Sequence, residues 1–171
     1  MNVPGAILVG LPGVGKSTAG RQAAEKLHRS FCDTDDALRE RYGVSSADML
    51  RTVGVEVFRE RECGLLRDLI DSSGVISTGG GIVTTVAARE LLRATGRVIW
   101  LDSPPLLLRE RVEAGDRPLL GDDVAQRLIE LDAERRPLYQ DVASAVVDAT
   151  RPIRDVVSLI VEIVGEWESC A

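Results

Sequence analysis

Apolar and polar positions along the chain follow two alternating patterns. Short, strand-length runs occur at 6–9 (AILV), 30–33 (SFCD), 74–77 (GVIS), 97–101 (RVIWL) and 144–148 (SAVVD). Turn residues or charges bound each of them. Between these runs, apolar residues recur three and four positions apart, as on one face of a helix. Residues 16–27 place Ala19, Ala23, Ala24 and Leu27 on one side, and 155–167 (DVVSLIVEIVGEW) reads as a closing amphipathic helix. Ser103 ahead of Pro104 and Pro105 reads as an N-cap with proline in the first turn. Strands alternating with helices predict an α/β/α three-layer fold: a central parallel sheet of about five strands, covered on both faces. Ligands of such sheets collect beyond the carboxyl ends of the strands. The loop at 10–18, Asp33, Gly79 and Asp102 all fall at such ends.

Two stretches break the rhythm. Residues 34–62 hold several short helical runs where one crossover helix would suffice, and read as an inserted substrate-binding region. Residues 111–123 (RVEAGDRPLLGDD) put Gly, Pro and charge between two helical runs and read as a lid over a site, with an ordinary surface connection as the plainer alternative.

Composition narrows the function classes. The 171 residues are 44% hydrophobic and 28% charged, as for one soluble domain spanning 1–171. The formal net charge of −6 argues against general attraction to nucleic acid or to an anionic membrane. Lys16 and Lys26 are the only lysines among 21 basic residues, a bias that reads best as codon composition. Cys32, Cys63 and Cys170 form no C-x-x-C pair and His28 is the single histidine, so a zinc site is not expected and a reduced, cytoplasmic compartment is. No run approaches the ~20 apolar residues of a spanning helix, and no signal-peptide pattern opens the chain.

Residues 10–18, GLPGVGKST, carry the strongest chemical signal. They fit G-x-x-x-x-G-K-[ST], between an apolar strand and a helix, which is the context this phosphate-binding loop requires. Gly10, Gly13 and Gly15 let several backbone N–H groups converge on one concavity suited to phosphate oxygens. The helix that follows turns its positive end to the same place. Lys16 adds a point charge near the β- and γ-phosphates, and Ser17 offers a hydroxyl to Mg²⁺. ATP is the implied ligand.

Three further clusters follow. "DTD" sets Asp33 and Asp35 at the end of the second strand, so that one carboxylate can serve a metal while the other meets a different ligand; Asp35 could equally cap the helix after it. "FRERE" (58–62) puts Arg59 and Glu62 on one helical face, which alone would read as a solvated ion pair. "VISTGGGIV" (75–83) runs from a buried strand into Gly79, Gly80 and Gly81, an arrangement that permits close backbone approach to a ligand.

These motifs, with "DRPLL" (116–120) and "RRPLY" (135–139), stand in the order and at about the spacing found in shikimate kinase, a P-loop kinase of the nucleoside-monophosphate-kinase type. The resemblance runs from Gly10 to about Pro152. It implies ATP-dependent phosphorylation of shikimate at the 3-hydroxyl, a step of aromatic amino-acid biosynthesis. It implies Mg²⁺ on Ser17 and Asp33, and Asp35 on the substrate hydroxyls as base. Arg59 and Arg135 would clamp the shikimate carboxylate, with Gly79, Gly80 and Gly81 against the substrate. The nucleotide would lie on Gly13, Val14, Gly15, Lys16, Ser17 and Thr18, between Arg111 and Arg151, and Arg117 would arrive on the lid. Shikimate and ATP are then the partners of a monomer.

The chain departs from the family pattern at Val55, where many relatives carry Glu after the glycine, and in a lid about one residue shorter. "VIWLD" (98–102) also resembles an acidic metal-binding strand end, so pattern alone would give the metal to Asp102; the family resemblance gives it to Asp33. A gluconate or nucleotide kinase is the rival reading within the superfamily. A GTPase-type switch lacks its N-K-x-D motif, since the only asparagine is Asn2.

Overall fold

The computed structural model describes residues 5–113 and 123–169. Five strands, β1 (Ala6–Val9), β2 (Phe31–Asp33), β3 (Val75–Ser77), β4 (Val98–Asp102) and β5 (Ala145–Asp148), form one sheet in the order β2-β3-β1-β4-β5. All pairings are parallel. Each strand lies within a residue of its expected place. β1 is central and every residue of it is buried, as a parallel strand covered on both faces requires. Register aligns Leu8 and Asp33 with Ser77, so the ends of β1, β2 and β3 meet at one edge of the sheet.

Among the described residues, seven α-helices surround the sheet: α1 (Lys16–Lys26), α2 (Thr34–Tyr42), α3 (Ser46–Leu69), α4 (Val86–Thr95), α5 (Arg109–Glu113), α6 (Val124–Val142) and α7 (Ile153–Ser169). α1 presents small residues, Ala19, Gly20, Ala23 and Ala24, to the interior. A Cβ at position 20 would stand 2.8 Å from the Phe31 ring and 3.0 Å from Leu8, so this helix lies very close to the sheet. Val156, Val157, Ile160 and Val164 of α7 complete the main core. The expected insertion at 34–62 resolves into α2 and α3, which share a small core of their own: Leu38, Met49, Phe58 and Leu65. α3 is bent at Gly54, whose φ of 80° no helix accommodates. Val55, next to that bend, is more than half exposed and faces solvent.

Three expectations change. Ser103 caps nothing: a 3₁₀ turn begins at Pro105 after Pro104, and the Ser103 hydroxyl reaches only the Pro104 carbonyl. The helical cap at β2 belongs to Asp33, whose carboxylate accepts the Asp35 backbone N–H at 2.9 Å, and Asp35 lies inside α2. Of the loop expected at 111–123, residues 111–113 belong to α5 and Asp123 caps α6 by accepting from the Gln126 N–H. Residues 114–122, Arg117 among them, lie outside the described residues.

Candidate active site

The glycine-rich loop ends at Gly15, which N-caps α1 at φ 99°, a left-handed backbone that favours glycine. A side chain there would meet nothing within 4 Å, so the loop opens on free space. No side chain caps α1 and its first turn is free of acidic residues. Its N-terminal N–H groups therefore suit an anion. Lys16 is buried and donates to the Gly10 and Leu11 carbonyls at 2.9 and 3.0 Å, which keeps its ammonium at the loop. The space in front is a cavity of about 480 Å³ lined by residues 13–18 together with Arg111, Ala149, Arg151, Ile153 and Val156. Arg111 and Arg151, some forty positions apart in the chain, thus flank one cavity.

Ser17 Oγ donates to Asp33 Oδ2 at 2.5 Å and lies 3.3 Å from the Ser77 hydroxyl. A hydroxyl and a carboxylate are hard oxygen donors. Among the described residues, no group of three His, Cys, Asp or Glu side chains is placed to hold a metal. Such a sparse donor set fits Mg²⁺, which keeps several waters and borrows phosphate oxygens, better than it fits zinc. Asp102 is engaged elsewhere. Both its oxygens accept from the Arg136 guanidinium, at 2.9 and 3.1 Å, and Arg136 also forks onto Asp132 and stacks over Trp100.

Asp35, in the first turn of α2, accepts from Ser46 Oγ at 2.8 Å. Its Oδ1 would lie 3.8 Å from a Cβ at position 79, which puts the carboxylate beside the glycine turn. Positions i and i+2 of a continuous strand would share a face; Asp33 and Asp35 diverge because the backbone changes from strand to helix between them.

The glycine turn has a more specific purpose than close backbone approach. A Cβ at 79 would stand 2.6 Å from Glu62 Oε1, and one at 81 would collide with the Arg59 guanidinium. Two of the glycines therefore make room for the Arg59–Glu62 ion pair. Gly80 packs instead on the phosphate loop, where a Cβ would be 3.0 Å from Pro12 and 3.2 Å from the Gly10 carbonyl. Arg135, on α6, is buried as well, and its Nε is a buried donor without a hydrogen-bond partner. Such orphans typically cost about 1–3 kcal/mol and here mark a place where an anion fits.

Glu62 is the residue the sequence understated. It is 2% exposed, and burial holds its carboxyl above the ordinary range while Arg59 pulls it back. A raised carboxyl pKa means that the folded state binds more protons than the unfolded chain, beginning near the unfolded value. This contribution is therefore present at low pH and lost as pH climbs through the raised pKa. Glu62→Gln removes it. Thermal melts of the two proteins from pH 4.5 upward should show wild type losing stability relative to the variant as pH rises; parallel curves would mean that Glu62 titrates normally. Thr34 and Tyr139 were also not singled out from sequence: Thr34 Oγ1 accepts the Gly79 N–H at 3.0 Å, and the Tyr139 hydroxyl donates to the Gly80 carbonyl at 2.6 Å. Their partners lie 45 and 59 positions away, beyond any local pattern.

Comparison with known proteins agrees with this geometry. The shikimate kinase family model matches residues 12–164. The chain is 44% identical to a shikimate kinase of Dechloromonas aromatica, across 84% of this chain and 80% of the relative. It is 42% identical to that of Symbiobacterium thermophilum, across 94% and 95%. The solved structure of an Acinetobacter baumannii shikimate kinase in complex with shikimate superposes with a TM-score of 0.90 at 32% identity, covering 97% of this chain and 94% of that one. A Sinorhizobium meliloti gluconokinase, at 20% identity and a TM-score of 0.66, shares the fold alone. From the phosphate loop through the glycine turn to α6 and most of α7, the chain belongs to the shikimate kinase family.

Proposed function

We propose that this chain transfers the γ-phosphoryl group of ATP to the 3-hydroxyl of shikimate, giving shikimate 3-phosphate and ADP in aromatic amino-acid biosynthesis. Within the family frame, the observation that carries the substrate assignment is the buried Arg135, with an unpartnered Nε, whose charge acts on the same Glu62 that pairs with Arg59. Two guanidinium forks against a carboxylate give bidentate, oriented recognition. Asp35, beside that turn and open to solvent, accepts the proton of the attacking hydroxyl. The new O–P bond forms as the bond from the γ-phosphorus to the bridging oxygen breaks, and ADP leaves. Residues 13–18 cradle the phosphates, with Arg111 and Arg151 at the nucleotide's far end. Ser17 and Asp33 would hold Mg²⁺, whose chemistry is to neutralise charge on the phosphate oxygens. Arg117 would join from the segment outside the described residues. The enzyme acts as a cytoplasmic monomer.

ADP release with Mg-ATP, measured against shikimate, quinate, gluconate and nucleoside monophosphates, tests the assignment. Shikimate should lead clearly. Gluconate or a nucleotide ahead of it would leave the fold standing and the substrate wrong.

A further inference from the structure

Three glycines in a row have more backbone freedom than any other tripeptide, so a turn built from them must be held by its surroundings. Residues 79–81 are held from two sides. Thr34, between the two aspartates of the β2–α2 junction, takes the Gly79 N–H at 3.0 Å. Tyr139 donates its hydroxyl to the Gly80 carbonyl at 2.6 Å. The Tyr139 side chain is fully buried, and its ring stacks on Trp100 with centroids 5.9 Å apart and planes at 26°. A buried phenol must place its hydroxyl on a partner, and here the ring is fixed before the hydroxyl is.

Position explains why this matters. Tyr139 follows Arg135 by four residues, one turn along the same face of α6. Gly80 is wedged against Pro12 and the Gly10 carbonyl of the phosphate loop, while Gly79 and Gly81 border Glu62 and Arg59. A displacement at Gly80 would thus change the spacing between the phosphate loop and the arginine pair. Burial pushes the phenol's pKa well above its ordinary value, although Arg135 opposes this. The hydroxyl therefore keeps its proton and remains a donor at any working pH.

We propose that Tyr139 is a positioning residue for phosphoryl transfer: its hydroxyl locks the Gly80 carbonyl to α6, so that the glycine turn, Arg59 and Arg135 hold a fixed distance from the phosphate loop. The proposal rests on the shikimate kinase reading above.

Tyr139→Phe keeps the ring and its stacking and removes the hydroxyl, with its bond to the Gly80 carbonyl and its contact with Arg135. Steady-state kinetics for both substrates and a thermal melt are measured on the variant and on wild type. The value of kcat/KM for shikimate should fall roughly tenfold or more, about what one ordinary hydrogen bond is worth. Shikimate KM should rise and kcat fall, while ATP KM stays near wild type, because neither Tyr139 nor Gly80 lines the nucleotide cavity. A lower melting temperature with wild-type kinetic constants for shikimate overturns the proposal, since a merely structural tyrosine would behave so. Trp100→Phe, which thins the platform under the ring but keeps the hydroxyl, is the second variant. It should shift shikimate KM in the same direction by a smaller factor. Should Tyr139→Phe not fold, an unchanged shikimate KM in Trp100→Phe overturns the proposal instead. Wild type without shikimate-dependent ADP release would overturn the parent reading and this one together. Active wild type with unaffected variants would overturn this one alone.

Discussion

Asp35→Asn should lower kcat by roughly 10²–10⁴, the usual worth of a positioned general base, while Asp102→Asn should leave kcat close to wild type. The two aspartates each end or follow a parallel strand, and by local pattern alone Asp102 would be the metal candidate. Their partners separate them. Asp102 has both oxygens on Arg136, which is itself shared with Asp132 and laid over Trp100. A carboxylate so engaged ties α6 to the end of β4. Since both partners are about a third exposed, that tie is worth about 1 kcal/mol or less. Asp35 has one oxygen on a serine hydroxyl and the carboxylate beside the glycine turn. An amide in place of that carboxylate would keep the serine hydrogen bond and the shape, and lose only the capacity to take a proton. Shikimate KM should therefore change far less than kcat. The reverse ranking, with Asp102→Asn the inactive variant, would move the catalytic assignment to β4 and the metal assignment with it.

What the sequence reveals and what it hides follow from the range of each interaction. Strands, the phosphate loop and α1 are local: the apolar run at 6–9, the glycines and the helical spacing of 16–27 specify them within one stretch of chain. The motifs "DTD", "FRERE" and "STGGG" are visible too, but their reasons are not. Gly79 and Gly81 are small because Glu62 and Arg59, on a different helix, need the volume. Both oxygens of Asp102 are taken up by Arg136, 34 residues later. Nor does any local pattern show that Arg135 becomes buried while its neighbour Arg136 stays partly open, since that depends on which face of α6 meets the glycine turn. The capping error at Asp33 and Asp35 is of the other kind: two acids two residues apart both suit a cap, and only the point where strand becomes helix decides between them.

Arg135→Met should lower shikimate affinity by roughly 10²-fold or more, the scale of losing one member of a buried, hydrogen-bonded charge pair, yet leave the melting temperature at or above that of wild type. The expectation joins two features of one side chain. Arg135 is 7% exposed, and its Nε has no partner. In the unliganded protein the orphaned donor is a standing cost of about 1–3 kcal/mol. Methionine has a similar length, no donor to desolvate and enough flexibility to fill the space. The opposing effects are the loss of Arg135's contact with the Tyr139 hydroxyl and of its attraction for Glu62. That attraction is the smallest of the influences on Glu62, where Arg59 dominates through direct contact, so it should not reverse the sign. Binding has no such compensation: the substrate carboxylate would lose one of two forks in a buried pocket, where an unpaired charge is expensive. Measuring shikimate binding by calorimetry and melting temperature on the same preparation separates the alternatives. A large fall in stability with affinity retained would make Arg135 a structural residue of α6. Stability retained with affinity lost is the signature of a site that gives up stability in its empty state to recognise its ligand.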